Sequence, residues 1–415
     1  MKIKFYTLGC KVNQYETEAI MEEFIKNGYQ VVERDDADLY IINTCTVTKR
    51  ADTKSIKLIK NIKRKNPNSK IAAIGCLADL NNGILKKLNI DYIIPQSKKH
   101  LVFNIISSCN SEDKKDIWSL KISRFFNQRA FVKIQDGCNF KCSFCKIPYV
   151  RGRSISRERE DILEEVKRLL DNNHKEIVLC GINLGLYGKD LSTKYTLEDL
   201  IEDILKIDLD FRIRLSSIEP IFITDRLISF FKEPKICPHI HLPFQNGDDY
   251  ILEKMNKKER VSLYKDVVKK LRTINKDIAI SCDIMVGFPY ETDDTFKNTI
   301  NFLEDIKPMR IHIFTFSPRE NTEFFNYKIK DNNKIFKRYS ILKKLKDKLE
   351  LEYKTKFLNR RLYMLAEEKN NSYTIGYTEN YIRVMVKKNL KLGEAFKVEV
   401  SDIKRDKVFC NVLEE

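Results

Sequence analysis

No stretch of this 415-residue chain approaches the roughly 18 consecutive apolar residues of a membrane-spanning helix. Met1 is followed by Lys2-Ile-Lys-Phe-Tyr-Thr-Leu8, a strand pattern and not the apolar core of a cleavable leader. There is no internal repeat and no low-complexity tract, which leaves repeat arrays and prion-like segments aside. Acidic excess is also absent: 76 Lys and Arg face 59 Asp and Glu, a net charge of +17. That balance points toward polyanions such as nucleic acid. A hydrophobic content of 42% excludes wholesale disorder. The cysteine count is 11, odd and without a secretory context, which argues against a disulfide scaffold and for metal or redox chemistry. The expectation is a soluble, cytoplasmic protein of two or three domains, with no membrane partner.

The chain reads as α/β. Strand patterns at 2–8, 39–43 and 70–74 alternate with helical periods at 13–26, 48–65 and 81–88, which implies an open parallel sheet with helices on its faces. The polar stretch 107–116 lacks periodicity and reads as a linker. A second series follows, with strands at 130–135, 176–180, 212–215, 239–242, 278–286 and 310–316 and helices between them, such as 157–171, 260–274 and 292–306. Six units in about 190 residues are too few for the eight-stranded barrel of ~250 residues, so a partial (β/α)6 barrel is expected. A long basic helix at 332–356 carries Ile335, Phe336, Tyr339, Leu342, Leu345 and Leu349 on one face. Beyond it, short runs at 362–366, 373–377, 382–386, 396–400 and 408–412 predict a small antiparallel β-barrel of a nucleic-acid-binding kind. The expected domains are 1–110, 124–355 and 356–415.

The strongest local motif is Cys138-Asn-Phe-Lys-Cys142-Ser-Phe-Cys145, set after the first strand of the second series. Three thiolates are one short of the four that close an ordinary zinc or iron–sulfur site. One reading is a [4Fe–4S] cluster whose fourth iron stays open to a substrate or cofactor; the other is a structural zinc with a distant fourth ligand, His174 or His239. The strand-end location favours the open cluster, because the C-terminal ends of barrel strands form the catalytic face. A second set lies upstream. Cys10, Cys45 and Cys76 each end a predicted parallel strand, and such ends share the ligand-binding edge of an open α/β sheet. Gly9 and Gly75 would let a bulky group approach the backbone. Three buried structural cysteines are the alternative. Cys109, Cys180, Cys237, Cys282 and Cys410 show no pattern; Cys180 and Cys282, on apolar strands, read as packing residues.

The 138–145 motif resembles the signature of the radical S-adenosylmethionine (SAM) enzymes. With the second triplet and the terminal β module, the chain resembles the methylthiotransferases of that superfamily from end to end. Further segments carry the likeness: Leu8-Gly-Cys-Lys-Val-Asn-Gln-Tyr-Glu16, Pro148-Tyr-Val-Arg-Gly-Arg153, His241-Leu-Pro-Phe-Gln-Asn-Gly247, Asp283-Ile-Met-Val-Gly-Phe-Pro-Tyr-Glu-Thr292 and Phe316-Ser-Pro-Arg319. The resemblance implies two [4Fe–4S] clusters, one on Cys138, Cys142 and Cys145 that cleaves SAM, one on Cys10, Cys45 and Cys76 that serves sulfur transfer. It implies SAM contacts at Phe144, Gly181, Asn183, Glu219 and the turn Gly287-Phe-Pro289, and it makes the last segment a TRAM domain. It also implies an external electron donor and a sulfur source. The motif around Cys10 is similar to that of enzymes acting on N6-threonylcarbamoyladenosine in tRNA; isopentenyladenosine in tRNA and an aspartate of a ribosomal protein are the substrates of the other branches. A metal-stabilised RNA-binding protein without catalysis is the rival from another class.

Two basic stretches fit an RNA partner. The helix at 48–65 sets Lys49, Arg50, Lys54, Lys57, Lys60, Lys63, Arg64 and Lys65 beside Ile56, Ile59 and Ile62, and residues 328–361 hold 13 Lys and Arg against four Asp and Glu. Together with the β module they form a phosphate-tracking expectation, with the anticodon loop of tRNA as the object.

Overall fold

In the computed structural model, residues 1–80, 82–108, 116–329, 331–370 and 372–413 are described. Strands β3 (Leu39–Thr44) and β4 (Lys70–Gly75) are buried almost throughout, as strands covered on both faces must be. They are the centre of a five-stranded parallel sheet with β1 (Lys2–Thr7), β2 (Gln30–Val31) and β5 (Tyr92–Pro95), in the order β2-β1-β3-β4-β5. The three inner strands were legible in the pattern; β2 and β5 are short edges with little periodicity. The helix Lys49–Lys65 begins where Thr48 Oγ1 accepts the Ala51 N–H at 3.1 Å, and it buries Ile59 and Ile62 against Tyr40, Ile42 and Ile71. The helix expected at 81–88 is present as Asn82–Lys87, and a short helix that the pattern does not suggest, Cys76–Leu80, precedes it. Of the expected linker, residues 109–115, Cys109 among them, lie outside the described residues.

Chain contacts define two compact units. The first is Met1–Ser123, Gln135–Arg157 and Ser317–Phe325; the second is Arg124–Ile134, Glu158–Phe316 and Asn326–Glu415. The loop carrying Cys138, Cys142 and Cys145 thus groups with the N-terminal sheet. After β6 (Arg129–Lys133), which belongs to the second unit, β7 (Gln135–Asp136) and β8 (Ile155–Ser156) make an antiparallel ribbon that supports that loop.

The second unit continues with β9 (Glu176–Cys180), β10 (Arg212–Leu215), β11 (His239–Gln245), β12 (Ala279–Val286) and β13 (Arg310–Thr315). These form two parallel sheets, β10-β9-β6 and β11-β12-β13, joined through single bridges at Ile213/Ile236 and Ser217/His241. The six parallel strands of the expected partial barrel are all present. The long helix Asn332–Thr355 buries Leu342, Leu345 and Leu349. Phe336 departs from the expected face and is 64% exposed: it lies nine residues, or two and a half turns, from Leu345, on the opposite side of the helix.

Strands β14 (Arg361–Lys369), β15 (Thr374–Thr378), β16 (Arg383–Val386), β17 (Ala395–Lys404) and β18 (Lys407–Val412) close into a small barrel. It is not wholly antiparallel as the short runs suggested, because β16 and β18 pair in parallel. Core arginines of the same unit hold its β15–β16 turn. Arg212 donates to the carbonyls of Tyr363 and Tyr377, both at 2.9 Å, and Arg214 to those of Glu379 (3.0 Å) and Thr378 (3.2 Å). Tyr381, held at φ +66°, lies against His239 (4.4 Å) and beneath the Arg129, Arg214 and Arg310 guanidiniums at 5.4, 4.7 and 5.1 Å.

Candidate functional site

The three N-terminal cysteines stand where the strand periodicity puts them. Cys10 follows β1 and precedes the helix Lys11–Lys26; Cys45 follows β3; Cys76 follows β4 and opens the helix Cys76–Leu80. They share one edge of one sheet. Cys10 is exposed, while Cys45 and Cys76 are buried. Burial, reinforced by the neighbouring Cys10 and Cys76, pushes the Cys45 thiol up to about 11. Burial also raises Cys76, against the opposing pull of Arg151 and Lys99. Gly9 is required here: at φ +103°, a Cβ would sit 2.8 Å from Cys45 Cβ and 3.0 Å from its Sγ.

A buried ion network lies under these thiols. Arg151, at the end of the helix Ile147–Arg151, donates Nη1 to Asp136 Oδ1 and Oδ2 at 2.9 Å and to Glu16 Oε1 at 3.1 Å. Its Nη2 donates to Asn13 Oδ1 (2.6 Å) and Glu16 Oε2 (3.1 Å). Lys99 Nζ donates to Glu16 Oε2 at 2.7 Å, and Gln96, which bonds Glu16 through Nε2, accepts from Cys76 Sγ at 3.9 Å. Thr46, next to Cys45, accepts from Arg319 at its carbonyl (2.6 Å) and hydroxyl (2.9 Å), and Arg319 pairs with Asp52 at 2.7 Å. Lys146 donates to the same hydroxyl at 3.5 Å; burial and the nearby Arg319 lower its pKa. Arg151, Arg319, Lys146, Lys99 and Glu16 were not singled out from the sequence, although the segments containing Arg151, Arg319 and Glu16 were.

The Cys138–Cys145 loop is set by the β7–β8 ribbon below it. Cys138 N–H donates to the Gly152 carbonyl (3.1 Å), Cys145 N–H to that of Cys142 (3.0 Å), and Phe140 N–H to Cys138 Sγ (3.4 Å). Gly137, at φ +71°, leaves no room for a side chain, since a Cβ would fall 2.0 Å from the Arg153 carbonyl oxygen. Cys138, Cys142 and Cys145 are half-buried, as is Phe144. An N–H aimed at sulfur and partial access to solvent suit a thiolate that carries a cluster, and the Arg151 and Lys99 cations suit an anionic metal–sulfur group at the other triplet.

Among the described residues, no three or more His, Cys, Asp and Glu side chains are drawn together tightly enough for a single metal ion. The histidines that a zinc would need are engaged. His174 accepts the Phe125 N–H at Nε2 (3.1 Å) and faces the Gln128 carbonyl with Nδ1 (3.2 Å), and His239 bonds Ser281 Oγ at 3.0 Å. The ten described cysteines are all free of disulfides, and Cys180, Cys237, Cys282 and Cys410 are buried.

Of the expected SAM contacts, Phe144 lies in the first unit and the others in the second. Gly181 follows β9, half-buried. Asn183 is buried and ties two strand ends together, its Oδ1 accepting the N–H of Gly185 (3.2 Å) and of Glu219 (3.4 Å). Glu219 is neither exposed nor unpaired: Lys257 Nζ donates to its carboxylate, while burial raises its pKa against the pull of that lysine. The Gly287 N–H donates to Glu291 Oε2 at 2.8 Å, and Arg338 holds Glu291 at 2.6 Å.

Comparison with known proteins agrees with this layout. Residues 2–94 match the uncharacterized protein family UPF0004, and residues 132–303 match the radical SAM superfamily. The threonylcarbamoyladenosine tRNA methylthiotransferase MtaB of Thermotoga maritima is 35% identical over 420 residues, covering 98% of this chain and 96% of that protein. The tRNA-2-methylthio-N(6)-dimethylallyladenosine synthase of Thermodesulfovibrio yellowstonii is 35% identical over 425 residues, covering 98% and 97%. In fold, the second similarity is to the radical SAM methyltransferase TsrM of Kitasatospora setae, solved with cobalamin and a [4Fe–4S] cluster bound. Its TM-score is 0.58 at 11% identity, over 78% of this chain and 77% of that one.

Proposed function

The chain belongs to the radical SAM tRNA methylthiotransferase family, and from that premise we propose that it transfers a methylthio group to C2 of N6-threonylcarbamoyladenosine beside the tRNA anticodon. The observation that carries this reading is the placement of six cysteines in one unit. Three stand on a single sheet edge and three in a ribbon-supported loop, and Arg151 binds elements of both. The residue motif around Cys10 supports the threonylcarbamoyl branch. Its Val12, Asn13, Tyr15 and Glu16 are all buried, and Glu16 anchors the Arg151 network.

The enzyme uses two [4Fe–4S] clusters and SAM. Cys138, Cys142 and Cys145 would hold one cluster and Cys10, Cys45 and Cys76 the other; so held, they would supply the electron for splitting SAM and a site for sulfur, chemistry that an unreactive aromatic C–H requires and side-chain acids and bases lack. The protein's own residues set the stage. Arg151 and Lys99 offset negative charge at the N-terminal thiols. Phe140 N–H fixes the Cys138 sulfur, and Lys146 and Arg319 hold the backbone beside Cys45. Exposed Lys54, Lys57 and Lys60 on the helix Lys49–Lys65 offer phosphate contacts. Among the described residues no helix is long and apolar enough to cross a membrane. An external electron donor and a sulfur source complete the turnover, and the cytoplasm, where tRNA is modified, is the place for it.

The test is nucleoside mass spectrometry of tRNA from a strain lacking the gene. Loss of 2-methylthio-N6-threonylcarbamoyladenosine, restored by the gene, supports the reading; an unchanged level overturns it. The Thermodesulfovibrio relative favours dimethylallyladenosine as the second reading, and the same spectrum reports its 2-methylthio derivative. The purified protein should hold about eight irons, two four-iron clusters. Cys138→Ala should abolish 5′-deoxyadenosine formation, and Cys45→Ala should keep it while blocking thiolation.

A further inference from the structure

The loops that leave β11 and β12 at their C-terminal ends each carry a tyrosine whose ring stands in solvent. Tyr250 lies in the first turn of the short helix Asp249–Lys254 after β11 and is 48% exposed; Tyr290 follows β12 and is 54% exposed. The two rings meet edge to face, their centroids 6.5 Å apart at 83°. Lys254 Nζ lies 5.2 Å from the first ring and 5.8 Å from the second. All three residues belong to the second unit.

Packing alone does not ask for this. The Glu291 N–H donates to the Phe288 carbonyl at 3.1 Å, closing a turn with Pro289 and Tyr290 at its centre. Tyr290 is held there at φ +72°, at the turn position that glycine ordinarily takes because a side chain is strained in it. The backbone on either side enforces the conformation. Phe288 is buried, the Gly287 N–H donates to Glu291 Oε2 (2.8 Å), and Arg338 donates to the Glu291 carbonyl (3.1 Å) and carboxylate (2.6 Å). Tyr381 is the other aromatic residue at positive φ among the described residues, but its ring packs on His239 and three guanidiniums. The Tyr290 ring has no such burial to offset its strain. Tyr250 is fixed in a similar way: Ile251 and Leu252 are buried beside it, and Asp248 caps the helix by accepting the Ile251 N–H at 3.1 Å. Two rings are thus pinned by their backbones and presented outward, with a cation between them. Backbone strain that burial does not offset is characteristic of a binding surface.

We propose that Tyr250 and Tyr290 form a stacking platform for one unpaired base of the tRNA substrate, with Lys254 beside them to meet that nucleotide's phosphate. The inference rests on the tRNA reading above and is indifferent to the N6 group of the target. Unpaired RNA bases splay out onto aromatic faces, and every base has such a face. The net charge of +17 suits the same partner. The neighbouring carboxylates are already directed elsewhere: Asp249 accepts the Val261 N–H at 2.7 Å, and Arg338 takes both Glu291 and Asp293.

The experiment measures binding of synthetic anticodon stem-loops, bearing N6-threonylcarbamoyladenosine or N6-dimethylallyladenosine, to the cluster-loaded protein. Tyr290→Gly is the informative variant, because glycine accepts φ +72° and removes only the ring. It should weaken binding about tenfold, the worth of one stacked base, while the melting temperature stays equal or rises. Tyr290→Phe should bind like the native protein, and Tyr250→Ala should lose affinity as Tyr290→Gly does. Replacing each unpaired loop nucleotide in turn by an abasic one should reveal one position that costs the native protein about tenfold and costs Tyr290→Gly nothing. A Tyr290→Gly protein that binds as tightly as the native one, or that melts lower, overturns the platform. So does a native protein that self-associates through these rings, with RNA affinity unchanged when Tyr290→Gly separates the copies. If only the dimethylallyl stem-loop binds, the threonylcarbamoyl reading falls and the same variants judge the platform on that stem-loop; if neither binds, both fall.

Discussion

Arg151 and Glu16, 135 positions apart in sequence, meet through two hydrogen bonds of 3.1 Å with both side chains 1% exposed. The same guanidinium takes Asp136 from the cysteine loop, and Glu16 takes Lys99. Removing one member of such a set leaves buried charge uncompensated, which costs about 3–5 kcal/mol. Arg151→Met should therefore lower stability to denaturant by that order and deplete iron from both triplets. Arg151→Lys keeps the charge but lacks the fork that reaches Asn13, Glu16 and Asp136 together, so it should fall between. Denaturant unfolding and iron assay on the two variants check this; an Arg151→Met protein with native stability and iron would contradict it.

Gly9 offers a more local test. A methyl group there meets Cys45 and the backbone resists φ +103°. Gly9→Ala should therefore displace one sulfur ligand and cut the iron content to about half, one cluster of two, with SAM cleavage retained. Full iron in this variant would mean that Cys45 is not a ligand.

How much of this was legible follows from sequence distance. The six cysteines could be found because the strand period places Cys10, Cys45 and Cys76 at equivalent strand ends and because the other three are eight residues from first to last. Arg151 and Arg319 stood in quoted segments, but nothing local ties them to Glu16 or to Thr46, 135 and 273 positions away. Glu219 reads as a turn carboxylate until Lys257, 38 positions on, is seen against it. Fold class followed from periodicity, whereas β2, β5 and the parallel β16–β18 pair are too short or too non-local for pattern to reveal.

The basic helix makes a contrast within one element. Lys54, Lys57 and Lys60 are exposed, whereas Lys63 Nζ donates to the carbonyls of Leu88 and Asn89 at 2.7 and 2.6 Å. Substituting the first three with Glu should weaken tRNA binding and flatten its salt dependence, by a log–log slope of roughly 0.7–0.9 per lost phosphate contact. Lys63→Ala should lower stability and leave the salt slope alone. Filter binding across a salt series measures both; an unchanged slope in the triple variant removes this helix from the RNA surface.

Acid should also undo the Glu176 ion pairs under the C-terminal barrel. Burial opposes ionisation of Glu176, but Arg214 (2.7 Å) and Arg212 (2.6 Å) outweigh it and hold the carboxyl down to about 2. The folded value lies below the unfolded one. The stability it contributes is therefore fully present above about pH 4.5, the ordinary carboxylate value, and is lost as pH falls through about 2. The lost ion pair also releases Arg212 and Arg214, which carry the carbonyls of Tyr363, Tyr377, Thr378 and Glu379. Unfolding followed from pH 6 to 2 should show stability declining by a few kcal/mol across this window. Glu176→Gln, already without the carboxylate, should start lower and decline less steeply; equal slopes in the two proteins would assign the acid loss to other carboxylates.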